Sequence, residues 1–488
     1  MTQSQALEIL KLGENVFLTG APGAGKTYLL NEYIAFLRSR EIDAAITAYT
    51  GIAASHLSGR TLHSWAGLSF AVLTPEQESE RIYANERVSA RIRNARVLII
   101  DEISMLHPAE FDRVDFICKT ARRSLEPFGG LQLICCGDFF QIPPVQQVGE
   151  EKNQFVIDSA AWKSAGMRTC YLHEQHRQGD EKLLHILDEI RDGNVGAESV
   201  ALLKSRLNAP VAAPIGIARL YTHNENVNEI NDAELRKLTG ETEVIYEVFE
   251  SGAAKLVEKL KKDHKIDRLI LKKGARVMFT RNNRSMGYVN GTLGEVVNFT
   301  NGDEGDVEAL PVILTFDGRR IIASREVWEF EENGKVRASV RQMPLKLAWA
   351  ITVHKSQGMT LDAAEIDLSR AFDRGMGYVA LSRVKRLENI SLLGLNELAL
   401  EVSPRIKMLD GDFREQSLES EAYLVELGAE GVTKMQEEFL ERAKEDDENS
   451  HRYDGGNSND HNTPISAAIA SEDFHYEVID ELPVVDFE

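Results

Sequence analysis

Residues 15–39 read NVFLTGAPGAGKTYLLNEYIAFLRS, and how this stretch divides decides the fold. NVFLTG (15–20) is a short apolar run with the length of a buried strand, whereas TYLLNEYIAFLRS (27–39) repeats apolar residues three and four apart, as an amphipathic helix does. Between them GAPGAGKT fits the pattern G-x-x-x-x-G-K-[ST], in the strand, loop and helix context that the pattern requires. Gly20, Gly23 and Gly25 let backbone N–H groups turn inward around a phosphate, with Ala21, Pro22 and Ala24 completing the loop. Lys26 is placed to reach the β and γ phosphates, and the Thr27 hydroxyl to ligate Mg²⁺. The stretch therefore implies an α/β fold that takes a nucleoside triphosphate with Mg²⁺.

Downstream, RVLIIDEIS (96–104) is a second apolar strand that ends in adjacent carboxylates, where an open α/β sheet presents its chemistry. Asp101 would hold Mg²⁺ through water, and Glu102 would orient or deprotonate the attacking water. LQLICCGDFFQIPPV (131–145) is again a strand running into polar residues, and sites Gln141 where a side-chain amide could sense a γ-phosphate, although taken alone it reads rather as a loop residue. Strands and helices alternate again after residue 179, in IGIARLYT, NVNEINDAELRKL and GARVMFT, so a second α/β half is expected, without a P-loop of its own. A β-rich insertion of about 285–343 interrupts that half before LKLAWAITVHKSQG, AAEIDLS and ISLLGL resume the pattern.

Charge and cysteine usage narrow the class. Of the 77 Asp and Glu and 56 Lys and Arg, 22 and 5 fall from Gly411 onward, so that segment carries −17 of the net −21 and residues 1–410 only −4. A basic channel in the body is thus compatible with an acidic chain. The segment AKEDDENSHRYDGGNSNDHNTP is too polar to bury a core, and disorder is expected from about residue 447. No apolar run reaches a membrane span and no secretory leader is visible, so no membrane and a cytoplasmic location are expected. The four cysteines (118, 135, 136 and 170) have no metal-ligand spacing and read as reduced core residues.

Taken in order, NVFLTGAPGAGKT, AYTGIAASHLSGRTLHS, VLIIDEISML, PFGGLQLICCGDFFQIPPV, LHEQHRQ, YTHNENVNEIN, KGARVMFTRNN, VNGTLGEV, AWAITVHKSQGMTL and GYVALSRV resemble the blocks of superfamily-one DNA helicases of the PIF, RecD and Dda-like group, over about residues 1–396. The resemblance implies two RecA-like P-loop NTPase domains that close on ATP and grip single-stranded DNA, with a short pin insertion at about 67–92 and a small β-barrel. It implies the domains 1–178 and 179–410, and the sequence adds a helical extension (411–446) and an acidic tail (447–488) outside the family pattern.

Carried over residue by residue, Gln357 and Gly358 of HKSQGMT would face the γ-phosphate, and Thr352, His354, Lys355 and Ser356 the DNA backbone. Arg177 and Arg383 resemble arginine fingers, and Gln3, with Gln5 two residues away, the glutamine that reads adenine. Thr50, Gly51, Thr61 and His63 resemble first-domain DNA contacts, and Phe70 is the aromatic available to the pin. The activity implied is ATP-dependent unwinding of tailed duplex DNA, moving 5′ to 3′, in replication, recombination or repair. A nucleotide-controlled clamp on single strands is the alternative, and a nuclease finds no further carboxylate cluster. The end YEVIDELPVVDFE alternates acidic and apolar residues, as a docking peptide for a protein partner would.

Overall fold

The computed structural model describes residues 1–453, apart from 69–72, 143–153, 174–179, 212–217, 240–241, 284, 301–308, 317 and 333–334. The described chain divides into two compact units. The first holds Met1–Gly196, Asp373–Ser382 and the chain from Leu398, and the second holds Ala197–Phe372 and Arg383–Glu397.

The first unit is built on a six-stranded, wholly parallel sheet. Its strands are β1 (Val16–Gly20), β2 (Ala44–Ala48), β3 (Arg60–Thr61), β4 (Val97–Asp101), β5 (Gln132–Cys136) and β6 (Arg168–Leu172), in the order β3-β2-β4-β5-β1-β6. β1, β4 and β5 are buried at every position, as strands covered on both faces must be, which is why they read as continuous apolar runs. Helix α1 (Gln3–Lys11) and helix α2 (Lys26–Ser39) pack Ile9, Leu10, Leu29, Tyr33 and Leu37 into the same core. All four cysteines are free and buried.

The C-terminal helix, Pro404–Tyr453, is broken at Gly428 (φ 61°, ψ 176°) and belongs to this unit. It covers the outer edge of β6, where the Tyr171 N–H donates to Ser417 Oγ at 3.0 Å. Past the break it adds Phe439 and Ala443 to the core. The helix runs to Tyr453, beyond residue 447 where the sequence predicts that order ends, and the rest of the acidic tail, 454–488, lies outside the described residues.

The second unit has a four-stranded parallel sheet in the order Ala350–Thr352, Ala218–Tyr221, Ala364–Leu368, Ile390–Leu395. Its β-rich part is wider than the 285–343 expected from sequence. It starts at Val244–Tyr246 and ends at Leu345–Leu347, with a five-stranded antiparallel sheet and a three-stranded one that recruits Phe249–Gly252. The flanking strands were missed because each is only three or four residues long.

Two further expectations are revised. Residues 181–191, placed from sequence in the second half, form a helix of the first unit, because Arg191 at its end is buried against Asp138 and Tyr171. The stretch expected to be a pin, 67–92, contains two helices, Pro75–Ala84 and Glu86–Asn94. Thr74 and Gln77 form a capping box with Pro75 in the first turn, which fixes a helix start. Buried Glu78 then joins Arg113 of the helix Pro108–Arg122 at 2.6 Å, which holds the pair down. Phe70 lies outside the described residues.

Candidate functional site

The nucleotide side is assembled within the first unit, at the carboxyl ends of β1, β4 and β5. Gly25 (φ 85°, ψ 18°) starts α2 in the left-handed region, so the chain turns tightly from loop to helix. Lys26 Nζ donates to the carbonyls of Gly20 (2.7 Å) and Ala21 (3.1 Å), folding over the loop that would receive phosphate. Gln3 Nε2 reaches the Ala24 carbonyl at 3.2 Å, whereas Gln5 is engaged in the capping box of Thr2. The structure thus separates two glutamines that sequence left open, and sets Gln3 beside the loop.

Asp101 closes β4 and is buried. Burial pushes its carboxyl above the usual range, against the opposing pull of the Cys136 thiol, the Glu102 N–H and the Lys26 charge. Glu102 follows with φ 55°, a left-handed conformation uncommon for a residue with a Cβ, at which the strand ends. After β5, the Gln141 N–H bonds the Asp138 carbonyl at 3.1 Å in a tight turn, and Gln141 is buried.

Among the described residues no group of three or more His, Cys, Asp or Glu is gathered to hold a metal ion. One carboxylate and one hydroxyl, Asp101 and Thr27, suit an ion that arrives already bound to phosphates.

The DNA-side candidates of this unit sit at two short helices. The Thr50 hydroxyl accepts from Ala53 N–H at 3.2 Å and caps Gly51–His56, and Thr61 accepts from Ser64 N–H at 3.4 Å and caps Leu62–Ala66. Each hydroxyl keeps its own proton to donate. His63 Nε2 lies 3.0 Å from Glu110, and its ring meets Tyr49 edge-on at 5.6 Å. Burial raises Glu110, but the bond to His63 and the charges of His63 and His107 together hold it below the usual carboxylate range.

In the second unit, HKSQGMT is a 3₁₀ turn (His354–Ser356) after the strand Ala350–Thr352. Lys355 is exposed and His354 half-buried. Burial pushes His354 down to about 4, so it is neutral near pH 7. Thr352 and Ser356, expected to face DNA, are instead buried: Thr352 Oγ1 accepts the Lys355 N–H at 3.3 Å, and Ser356 Oγ donates to the Val353 carbonyl at 2.7 Å. Ser356 uses its proton within the turn, while Thr352, like Thr50 and Thr61, accepts a backbone N–H and keeps its own proton. Gln357 and Arg383 are buried, and Gly358 has φ 76°. Arg177 lies outside the described residues.

Sequence reasoning missed a basic cavity of about 650 Å³ in this unit, lined by Lys262, Lys265, Arg268, Lys346 and Lys355 among others. It also missed the buried trio Asp138, Arg191 and Tyr378. The signal for the latter was an arginine on the apolar stripe Leu183, Ile186, Leu187, Ile190 of its helix.

Against known proteins, the model for "PIF1-like helicase" matches residues 3–199, and that for "DNA helicase Pif1, 2B domain" matches 265–299. The chain is similar to the ATP-dependent DNA helicase Pif1 of Psychrobacter sp. (strain PRwf-1), with 43% identity over 90% of this chain and 75% of that protein. The chain belongs to the PIF1-like helicase family. Solved structures agree: Pif1 helicase from Candida albicans superposes with a TM-score of 0.76 at 33% identity, covering 85% of this chain and 98% of that one. Pif1 helicase from Bacteroides, in complex with ADP-AlF3 and ssDNA, gives 0.70 at 28% identity over 85% and 96%. In this PIF1-like chain the two parallel-sheet units are the two RecA-like domains.

Proposed function

We propose that the protein is an ATP-dependent DNA helicase that tracks along single-stranded DNA 5′ to 3′ and opens tailed duplexes. The observation that carries this reading is the division of labour between the units. A P-loop with Lys26, Asp101, Glu102 and Gln141 is complete in the first, while Gln357, Arg383 and the exposed Lys355 belong to the second. One domain holds nucleotide, and the other supplies residues that respond to it and touch DNA.

In this reading Lys26 exchanges its two loop carbonyls for the β and γ phosphates, and its charge neutralises them. Asp101 and Thr27 are the residues that would hold Mg²⁺, which would supply positive charge beside the phosphates. The cost of burying Asp101 as an anion is then relieved by a cation, in line with its raised proton affinity. Glu102, directly after the strand, orients the attacking water and takes its proton, and Gln141 bonds the γ-phosphate. Arg177 and Arg383 stabilise the charge that develops on transfer, and Gln3 reads the adenine edge beside Ala24. Thr50, Gly51, Thr61 and His63 bind DNA phosphates from the first unit, and His354 and Lys355 from the second.

Purified protein with Mg²⁺ and ATP should open a duplex with a 5′ overhang and leave one with a 3′ overhang intact. The opposite preference would reverse the polarity. No opening of either, with hydrolysis still stimulated by single strands, would favour a translocase or clamp that needs a partner. One observation favours that second reading: residues 75–94 lie as two helices held down through Glu78 and Arg113 rather than as a projecting hairpin.

The acidic tail is assigned a protein partner with a basic groove. Deleting residues 454–488 should leave ATP hydrolysis unchanged and abolish that association. Among the described residues no helix is long and apolar enough to cross a membrane.

A further inference from the structure

The helix Met376–Ser382 lies between two strands of the second unit's sheet, Ala364–Leu368 and Ile390–Leu395, yet residues 373–382 pack with the first unit. The chain leaves the second unit after Phe372 and re-enters it at Arg383. Three close contacts hold this short strap. A Cβ at Gly375 (φ 85°) would lie 2.8 Å from the Phe140 carbonyl oxygen, and one at Gly377 only 2.0 Å from that of Ala399. Neither position admits a side chain without backbone movement. The third contact is Tyr378, fully buried, whose hydroxyl donates to Asp138 Oδ2 at 2.9 Å and accepts from Arg191 Nη1 at 2.7 Å.

Arg191 completes the triangle, with Nη1 at 2.8 and 2.9 Å from the two Asp138 oxygens and the Phe140 ring 4.0 Å from its guanidinium carbon. Its Nη2 bonds the Tyr171 hydroxyl at 2.8 Å. Asp138 in turn builds the loop that leads to Gln141: its Oδ1 accepts from Phe140 N–H at 3.2 Å and its carbonyl from Gln141 N–H at 3.1 Å. A buried charge pair is an expensive way to fill a core, and apolar residues of the same volume often do as well. What the pair adds here is a fixed register between the turn 138–141 and the strap 373–382.

We propose that Asp138, Arg191 and Tyr378 form a positioning cluster that ties the loop of Gln141 to the strap 373–382 within the first unit, so that the γ-phosphate contact of Gln141 is set by a buried ion-pair cluster. This rests on the assignment of Gln141 to the γ-phosphate given above. None of the three touches nucleotide; they act through the residues they hold. The cluster should therefore matter for the transferring phosphoryl group and not for nucleotide binding.

The test is Tyr378→Phe in the full-length protein, which removes one hydroxyl and keeps the Asp138–Arg191 pair. Expected are a drop of about tenfold in the kcat of DNA-stimulated ATP hydrolysis with the KM for ATP within about twofold, and a loss of about tenfold in affinity for ADP with aluminium fluoride while ADP alone binds as before. Wild-type kcat and wild-type aluminium-fluoride affinity would overturn the proposal, and so would equal losses for ADP and ADP–aluminium fluoride, the signature of a merely structural role. Gly375→Ala, which pushes the strap off the Phe140 carbonyl without touching a charge, should reproduce the split and serves if Tyr378→Phe does not fold. A wild-type protein without DNA-stimulated hydrolysis would instead defeat the helicase reading. The comparison of the two ADP complexes needs no DNA and separates the two failures.

Discussion

Two places, one in each unit, treat charge in opposite ways. In the first, it is met by its opposite: Asp138 by Arg191, Glu78 by Arg81 and Arg113, and Asp115 by Lys119 at 3.1 Å. In the second, Lys346 shares a cavity wall with Lys355 and Lys265, and burial together with those two charges pushes its ammonium down to about 7. Paired charges fix one geometry. Crowded like charges make a cavity wall attractive to anions, which suits a surface assigned to DNA phosphates.

The contrast can be broken most severely at the P-loop. Lys26→Ala should lower ATP turnover to background, and Glu102→Gln should bind ATP with turnover reduced by a factor on the order of 10²–10⁴, as loss of a general base does. Steady-state hydrolysis with a nucleotide-binding assay measures both. Normal turnover in either variant would remove that residue from the machinery.

Next in size is the stability of the paired side. Arg191→Ala leaves Asp138 buried without its cation and should cost about 3–5 kcal/mol in urea unfolding. Lys346→Met should have the opposite sign. A lysine whose folded pKa is depressed binds its proton more weakly than in the unfolded chain, so wild-type stability should rise with pH between about 7 and 10.5, and the variant should lose that rise.

The same group sharpens the DNA side. At fixed ionic strength, fluorescence anisotropy should show single-strand affinity falling by a few-fold as pH goes from 6 to 8, because Lys346 gives up its charge through about 7, and Lys346→Met should flatten the profile. A flat wild-type profile would place Lys346 away from DNA.

The smallest effect concerns neighbours in one turn. Lys355→Ala should reduce the salt slope of single-strand binding by about 0.7, one phosphate's worth, while His354→Asn should leave it unchanged, since His354 carries no charge near neutral pH. Equal slopes for the two variants would remove that distinction.

Much of the first unit was legible in sequence because its signals are local. The run from strand through P-loop to helix is contiguous, and β4 and β5 are apolar runs ending in polar residues. The second unit was less legible because its β-rich part pairs strands far apart, such as Phe249–Gly252 with residues 338–341. No window of a dozen residues contains such a pairing. Burial was also invisible: Thr352 and Ser356 belong to residue types that bind phosphate, and only packing turns their hydroxyls onto the loop's own backbone. Arg191 became meaningful only once Tyr378, 187 residues away, stood beside it.

The four cysteines have a practical consequence. Each is buried, and burial pushes every one of their thiols far above the range in which thiolate forms at neutral pH. To a maleimide dye the folded chain is therefore a blank page. A cysteine introduced at an exposed site in each unit, such as Leu125 and Leu393, would be the sole reactive handle there, and a donor and acceptor pair could follow the molecule through its nucleotide cycle without first stripping out the native thiols.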